Sequence, residues 1–118
     1  MRRILSSLCI AAALGCTSTL APTYDLSGVW SWNAVDVGQL MTLTQQGTVI
    51  TGKGISGGIV ARDTFQVHGT YEPPHVTLAF DYDTGVVCEY AASVQDANDM
   101  AGVVTCSGVK SSLSFSKR

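Results

Sequence analysis

In the stretch VCEYAASVQDANDMAGVVTC, residues 87–106, two runs of alternating character flank the polar quartet Asp96-Ala97-Asn98-Asp99. Alternation with a period of two is the pattern of a half-buried strand, and Asp and Asn favour the turn between two such strands. Centring the turn on Ala97 sets Val94 opposite Met100, Ala92 opposite Gly102, Tyr90 opposite Val104 and Cys88 opposite Cys106. One face of the hairpin is then apolar throughout. Opposed Cα atoms in an antiparallel ladder are ~4.5–5.5 Å apart, within the range a disulfide accepts. A Cys88–Cys106 disulfide is expected.

The hairpins on either side extend the same face. A turn centred on Gly85 pairs Tyr82 with Cys88, Phe80 with Tyr90, Leu78 with Ala92 and Val76 with Val94. The turn Glu72-Pro73-Pro74-His75 pairs Tyr71 with Val76, Gly69 with Leu78, Val67 with Phe80 and Phe65 with Tyr82. At the other end, Ser107-Gly108-Val109-Lys110 pairs Val104 with Leu113 and Gly102 with Phe115. A one-residue slip in any of these would turn its apolar set to the wrong side.

Nearer the N-terminus, a tight turn at Gln46-Gly47 pairs Gln45 with Thr48, Leu43 with Ile50 and Met41 with Gly52. A turn at Asp36-Val37 pairs Trp32 with Met41 and Trp30 with Leu43, placing Gly52 and Gly54 inside. Gly57 to Asp63 reads as a loop. No window past Thr23 has apolar residues at helical spacing. The expected fold is all-β: an eight-stranded antiparallel up-and-down meander closing into a small barrel, which removes both exposed edges. Closure pairs the last strand, Ser111 to Ser116, with the first, Gly28 to Val35.

Before the barrel lies a different kind of sequence. Arg2 and Arg3 precede an apolar run from Ile4 to Leu14. That run is about half the ~20 residues a bilayer-spanning helix needs and has the form of a signal-peptide h-region. Ala13-Leu14-Gly15-Cys16 then resembles a bacterial lipobox, with Ala13 where leucine usually stands. The resemblance implies a signal peptide over 1–15, lipidation of Cys16, a tether over 16–25 rich in Thr, Ser and Pro, and a barrel over 26–118. Thr17, where inner-membrane lipoproteins usually carry Asp, implies an outer-membrane anchor facing the periplasm. Cys9 would leave with the signal peptide. The alternative is ordinary cleavage after Ala13 or Ala21 and a soluble secreted protein.

Removing the first fifteen of 118 residues, two arginines among them, leaves 103 residues with five basic and nine acidic side chains. This net negative chain has no basic cluster, which argues against nucleic acid and against an electrostatic grip on anionic head groups. One small domain fits this length.

Gly28-Val29-Trp30 opening the first strand of such a meander resembles the calycin group of lipocalins, avidins and their small relatives. The resemblance covers Gly28, Trp30 and the strand order, and implies a barrel with tryptophan packed across one end. Avidin's biotin-contacting residues have no counterpart here. Small periplasmic inhibitors of proteases and lysozyme also use disulfide-bonded barrels of eight strands, but their inhibitory motifs are not evident.

Trp30 and Trp32 share one face of the first strand and, with Tyr90, are candidate contacts for a small apolar or ring-bearing ligand inside the barrel. The competing expectation is that they fill the interior together with Phe65, Phe80 and Phe115. Gly52-Lys53-Gly54-Ile55-Ser56-Gly57 has the spacing of a dinucleotide-binding loop but lacks the following helix whose N-terminus would receive a pyrophosphate. The glycines read instead as a strand bend or close backbone approach. His68 and His75 have no third ligand at metal spacing, so no metal is expected. Asp81, Asp83 and Glu89 point outward, and no serine lies in a Gly-x-Ser-x-Gly elbow. The expectation is therefore a protein without enzymatic activity or cofactor. It would either hold a small apolar ligand in the barrel or bind and inhibit an envelope protein through its loops or outer face.

Overall fold

The computed structural model describes residues 22–33, 38–57 and 62–118. Among them eight strands run in chain order: β1 Gly28–Asn33, β2 Gly38–Gln46, β3 Val49–Gly57, β4 Arg62–Glu72, β5 His75–Tyr82, β6 Val87–Asp96, β7 Asp99–Cys106 and β8 Val109–Lys117. Each pairs antiparallel with the next and β8 pairs with β1, giving a closed meander barrel. The β1–β8 seam is short, with Trp30 opposite Lys117 and Ser31 opposite Ser116, and Arg118 N–H donates to the Val29 carbonyl at 2.7 Å.

The alternating pattern translates directly into burial. Met41, Leu43, Phe65, Val67, Tyr71, Val76, Leu78, Phe80, Cys88, Tyr90, Ala92, Val94, Met100, Leu113 and Phe115 all turn into the barrel and are buried. The cysteine hairpin has the expected register, with Cys88 opposite Cys106, Tyr90 opposite Val104 and Val94 opposite Met100. Its loop is the dipeptide Ala97-Asn98, and a bulge at Gln95 brings the ladder back into that register. The disulfide is formed, with Cα atoms 4.4 Å apart. The β4–β5 hairpin also pairs as expected around Pro73-Pro74, whose peptide bond is cis.

Four other hairpins are displaced by two residues from expectation. Trp30 faces Met41 rather than Leu43, and Leu43 faces Gly52 rather than Ile50. Phe80 faces Cys88 rather than Tyr90, and Gly102 faces Leu113 rather than Phe115. In three of them the positive-φ residues show why. Gly47 (φ 63°) is the first residue of a two-residue loop, not the second. Ser107 (φ 50°) and Gly108 (φ 81°) form a two-residue loop by themselves, since type I′ geometry needs both residues at positive φ. Gly85 (φ 91°) is the last residue of the loop Asp83-Thr84-Gly85, where its N–H donates to the Tyr82 carbonyl at 3.0 Å. For the first hairpin the turn expected at Asp36-Val37 lies outside the described residues. A two-residue slide keeps every side chain on its face, so the core composition is unchanged. Gly57, Arg62 and Asp63, expected in a loop, are ladder residues instead, with Gly57 opposite Arg62 and Ser56 opposite Asp63.

Residues just before β1 fold over one end of the barrel. Leu26 is fully buried; its N–H donates to Gln45 Oε1 at 2.8 Å, and its carbonyl accepts from Trp30 Nε1 at 2.9 Å. Tyr24 N–H donates to the Tyr71 hydroxyl, and Lys117 Nζ donates to the Asp25 carbonyl at 2.8 Å. The Ser27 N–H and hydroxyl, bonding the Asp25 carboxylate, hold it below the usual carboxylate range, with a smaller contribution from Lys117. This end is closed by chain that leads directly from the expected tether.

Candidate functional site

The interior is a stack of rings. Phe80 lies 5.2 Å from Phe65, 5.9 Å from Tyr90 and 6.3 Å from Phe115, centroid to centroid, and Tyr90 meets Phe115 edge-on at 5.5 Å. Such offset and edge-on arrangements add to the free energy gained from burial alone. Tyr90 is fully buried, its hydroxyl donates to the Leu113 carbonyl at 2.8 Å, and burial pushes its pKa up. Trp30 is fully buried at the covered end.

Glycines share these rows with large side chains. Gly52 faces Leu43 and Val67, Gly54 faces Met41 and Phe65, Gly69 faces Ile50 and Leu78, and Gly102 faces Ala92 and Leu113. A Cβ on Gly52, Gly69 or Gly102 would lie within 2.1 Å of a carbonyl oxygen on the neighbouring strand. Gly54 lies under the Phe65 ring, and the other three admit close approach of neighbouring backbone.

The two tryptophans differ. Trp32 is only partly buried at the opposite end of β1 and packs against the core, as Tyr82 does. Tyr82 lies 5.0 Å from Phe65, and its hydroxyl accepts from Gln39 Nε2 at 2.9 Å. Trp32 and Gln39 are themselves opposite each other, and Gln39 is opposite Ser56. Of the three ligand candidates, Trp30 and Tyr90 are interior packing residues whose polar atoms are already bonded within the chain, whereas Trp32 reaches the surface. Gln39, its cross-strand partner, bonds Tyr82 at the same end of the barrel. Neither stood out in the sequence, because each occupies an ordinary inward position of an alternating strand.

Elsewhere the surface is bland. A solvent-open depression of about 380 Å³ on the outer face is lined by His75, Thr77, Ala91, Ser93 and Ala101, and owes its shape to small outward side chains. His68 lies opposite Ala79 and His75 opposite Glu72, and both are exposed. Among the described residues no three His, Cys, Asp or Glu side chains are placed to hold a metal ion. Cys16 lies outside the described residues. The architecture is the closed eight-stranded antiparallel barrel that the calycin resemblance implies, but the chain matches no protein-family model and no curated protein sequence.

Proposed function

We propose that this protein is an exported, non-catalytic interaction module, lipid-anchored to the outer membrane through Cys16 and facing the periplasm, whose calycin-like barrel acts through its surface. The observation that carries the reading is the buried aromatic cluster: Phe80 packs on Phe65, Tyr90 and Phe115, and Trp30 is buried in the same core. Barrels that carry ligands leave their axis empty, whereas this one spends it on packing. The partly exposed Trp32 and Tyr82 favour a second reading, in which a small apolar ligand rests at their end of the barrel. No catalytic step is assigned to any residue.

Native mass spectrometry of the barrel, exported without its lipid and purified gently, tests the choice. A bare chain mass, short of two thiol hydrogens, is the expected result; a retained small molecule overturns the surface reading in favour of the second. The anchor is tested separately by the mass of the mature N-terminus. An acylated Cys16 is expected, and an unmodified start at Leu14 or Pro22 removes the membrane from the proposal.

A further inference from the structure

Tyr24 to Ser27 are held to the barrel differently from the strands. None of the four lies in a strand, and Leu26 is the one that is fully buried. Among the described residues, every hydrogen bond that ties this segment to the barrel has a side chain as donor or acceptor. Gln45 and Tyr71 accept from the Leu26 and Tyr24 N–H groups, while Trp30 and Lys117 donate to the Leu26 and Asp25 carbonyls. The segment joins the sheet at Gly28, whose φ of 137° is one that other residues rarely adopt. A Cβ there would stand 2.8 Å from Lys117 Cε. Lys117, opposite Trp30 at the β1–β8 seam, thus passes over the joint, with its Nζ 5.8 Å from the Trp30 ring centroid.

The bonds of the barrel ladders break in company, because each strand is paired on both sides. Those of Tyr24 to Ser27 can break without disturbing any ladder, and the apolar side chain exposed is a single leucine. Segments of that kind open at a lower free energy than the core. We infer that Tyr24 to Ser27 form a strap that opens about Gly28 while the barrel stays folded, with Leu26 as its plug and Lys117 as its latch. Closed, the strap covers one end of the barrel and occupies the Trp30 indole N–H, the Tyr71 hydroxyl and the Gln45 carboxamide. Open, it returns these three groups to solvent around the place Leu26 vacates. The device gives this end of the barrel two states. Under the proposed anchor at Cys16 the strap is also the joint between tether and barrel, and opening adds four residues of chain, roughly 14 Å of reach. That consequence rests on the anchored reading; the opening itself does not.

Hydrogen exchange followed by NMR on the exported chain, without its lipid, tests the strap. The Leu26 N–H and the Trp30 indole proton should exchange together, at least about a hundredfold less protected than the amides of the β5–β6 ladder. Their protection should be indifferent to low urea, since opening the strap exposes little surface. Lys117→Met, which keeps the stem and removes the latching ammonium, should lower the protection of both protons about fivefold, the effect of one hydrogen bond. Breaking the Cys88–Cys106 bridge at the other end, by reduction or by Cys88→Ala/Cys106→Ala, should lower ladder protection and leave the two strap protons unchanged. Protection equal to that of the ladder, a fall in step with the ladder when the disulfide is lost, or unequal protection of the two protons overturns the strap. Indifference to Lys117→Met overturns the latch. Each readout is the same whether or not Cys16 is acylated, so failure of the anchor and failure of the strap are told apart.

Discussion

Gly54 and Phe65 face each other across β3 and β4, and a Cβ on Gly54 would lie 2.3 Å from Phe65 Cζ and 2.7 Å from the Leu40 carbonyl oxygen. The ring covers the bare backbone of its glycine, the aromatic rescue that lets a strand bend without leaving a hole. Phe65 in turn supports Phe80 and Tyr82. Gly54→Ala should therefore destabilise the barrel by about 1–3 kcal/mol, the usual range for overpacking, read from the shift in urea midpoint at constant slope. Gly102→Ala should cost at least as much, because its obstacles are the Ala91 carbonyl oxygen and the Ala92 Cα and Cβ, which cannot rotate away.

The two tryptophans give a direct comparison. Trp30→Ala removes a fully buried ring and leaves the Leu26 carbonyl without its donor, so a loss of about 3–5 kcal/mol is expected. Trp32→Ala removes a partly exposed ring and should cost about half as much or less. Equal losses in chemical denaturation would show Trp32 to be as much a part of the core as Trp30.

The Cys88–Cys106 bridge spans 18 residues of sequence. Closing a loop of this size lowers the entropy of the unfolded chain, an effect worth about 3 kcal/mol. The Cys88→Ala/Cys106→Ala pair should lose about that much and still fold, because the hairpin register is held independently by Tyr90–Val104 and Val94–Met100. Circular dichroism melts of the oxidised, reduced and doubly substituted chains would check it.

At Ser107 the turn asks for a residue at ease with positive φ, and serine is a poor choice. Ser107→Asn should stabilise the protein by a few tenths of a kcal/mol and raise its melting temperature by about 2–4 °C. Gly108→Ala, with open space for its methyl but φ at 81°, should lower stability by about 1 kcal/mol.

Tyr90 predicts an alkaline limit. Its folded pKa is raised by burial, so the folded state keeps a proton that the unfolded state releases above about pH 10. Stability is thus fully present below the unfolded value and falls as pH rises beyond it. Tyr90→Phe should lose about 1 kcal/mol at neutral pH, from the hydrogen bond to Leu113, and show a shallower decline above pH 10 than the parent. Parallel slopes in the two chains would place the alkaline limit elsewhere.

Three hairpins illustrate how far the amino-acid pattern reaches. Around Ala97-Asn98 the apolar residues and the cysteines constrain the pairing together, and the register from Val94–Met100 to Cys88–Cys106 is legible, though the bulge at Gln95 is not. Around Gly85 and Ser107-Gly108 the same alternation left two registers that differ by a two-residue slide, with identical faces. Only the positions of positive φ separate them, and those follow from which residue ends the loop. Glycine as the last of three loop residues at Gly85 is legible in hindsight from turn chemistry; serine at φ 50° is not, because its own preference opposes that conformation.

The sequence by itself determined the all-β class, the strand order, the inward face of each strand and the Cys88–Cys106 pairing. These depend on period-two alternation and on the short range of a turn, both local properties. The tertiary structure decided that the rings gather in one buried cluster, that Trp30 and Tyr90 belong to the core, and that Trp32 stays partly exposed opposite Gln39. Those facts depend on which inward residues share a level around the closed barrel. That level is fixed by the summed two-residue choices at successive hairpins, which no single strand records.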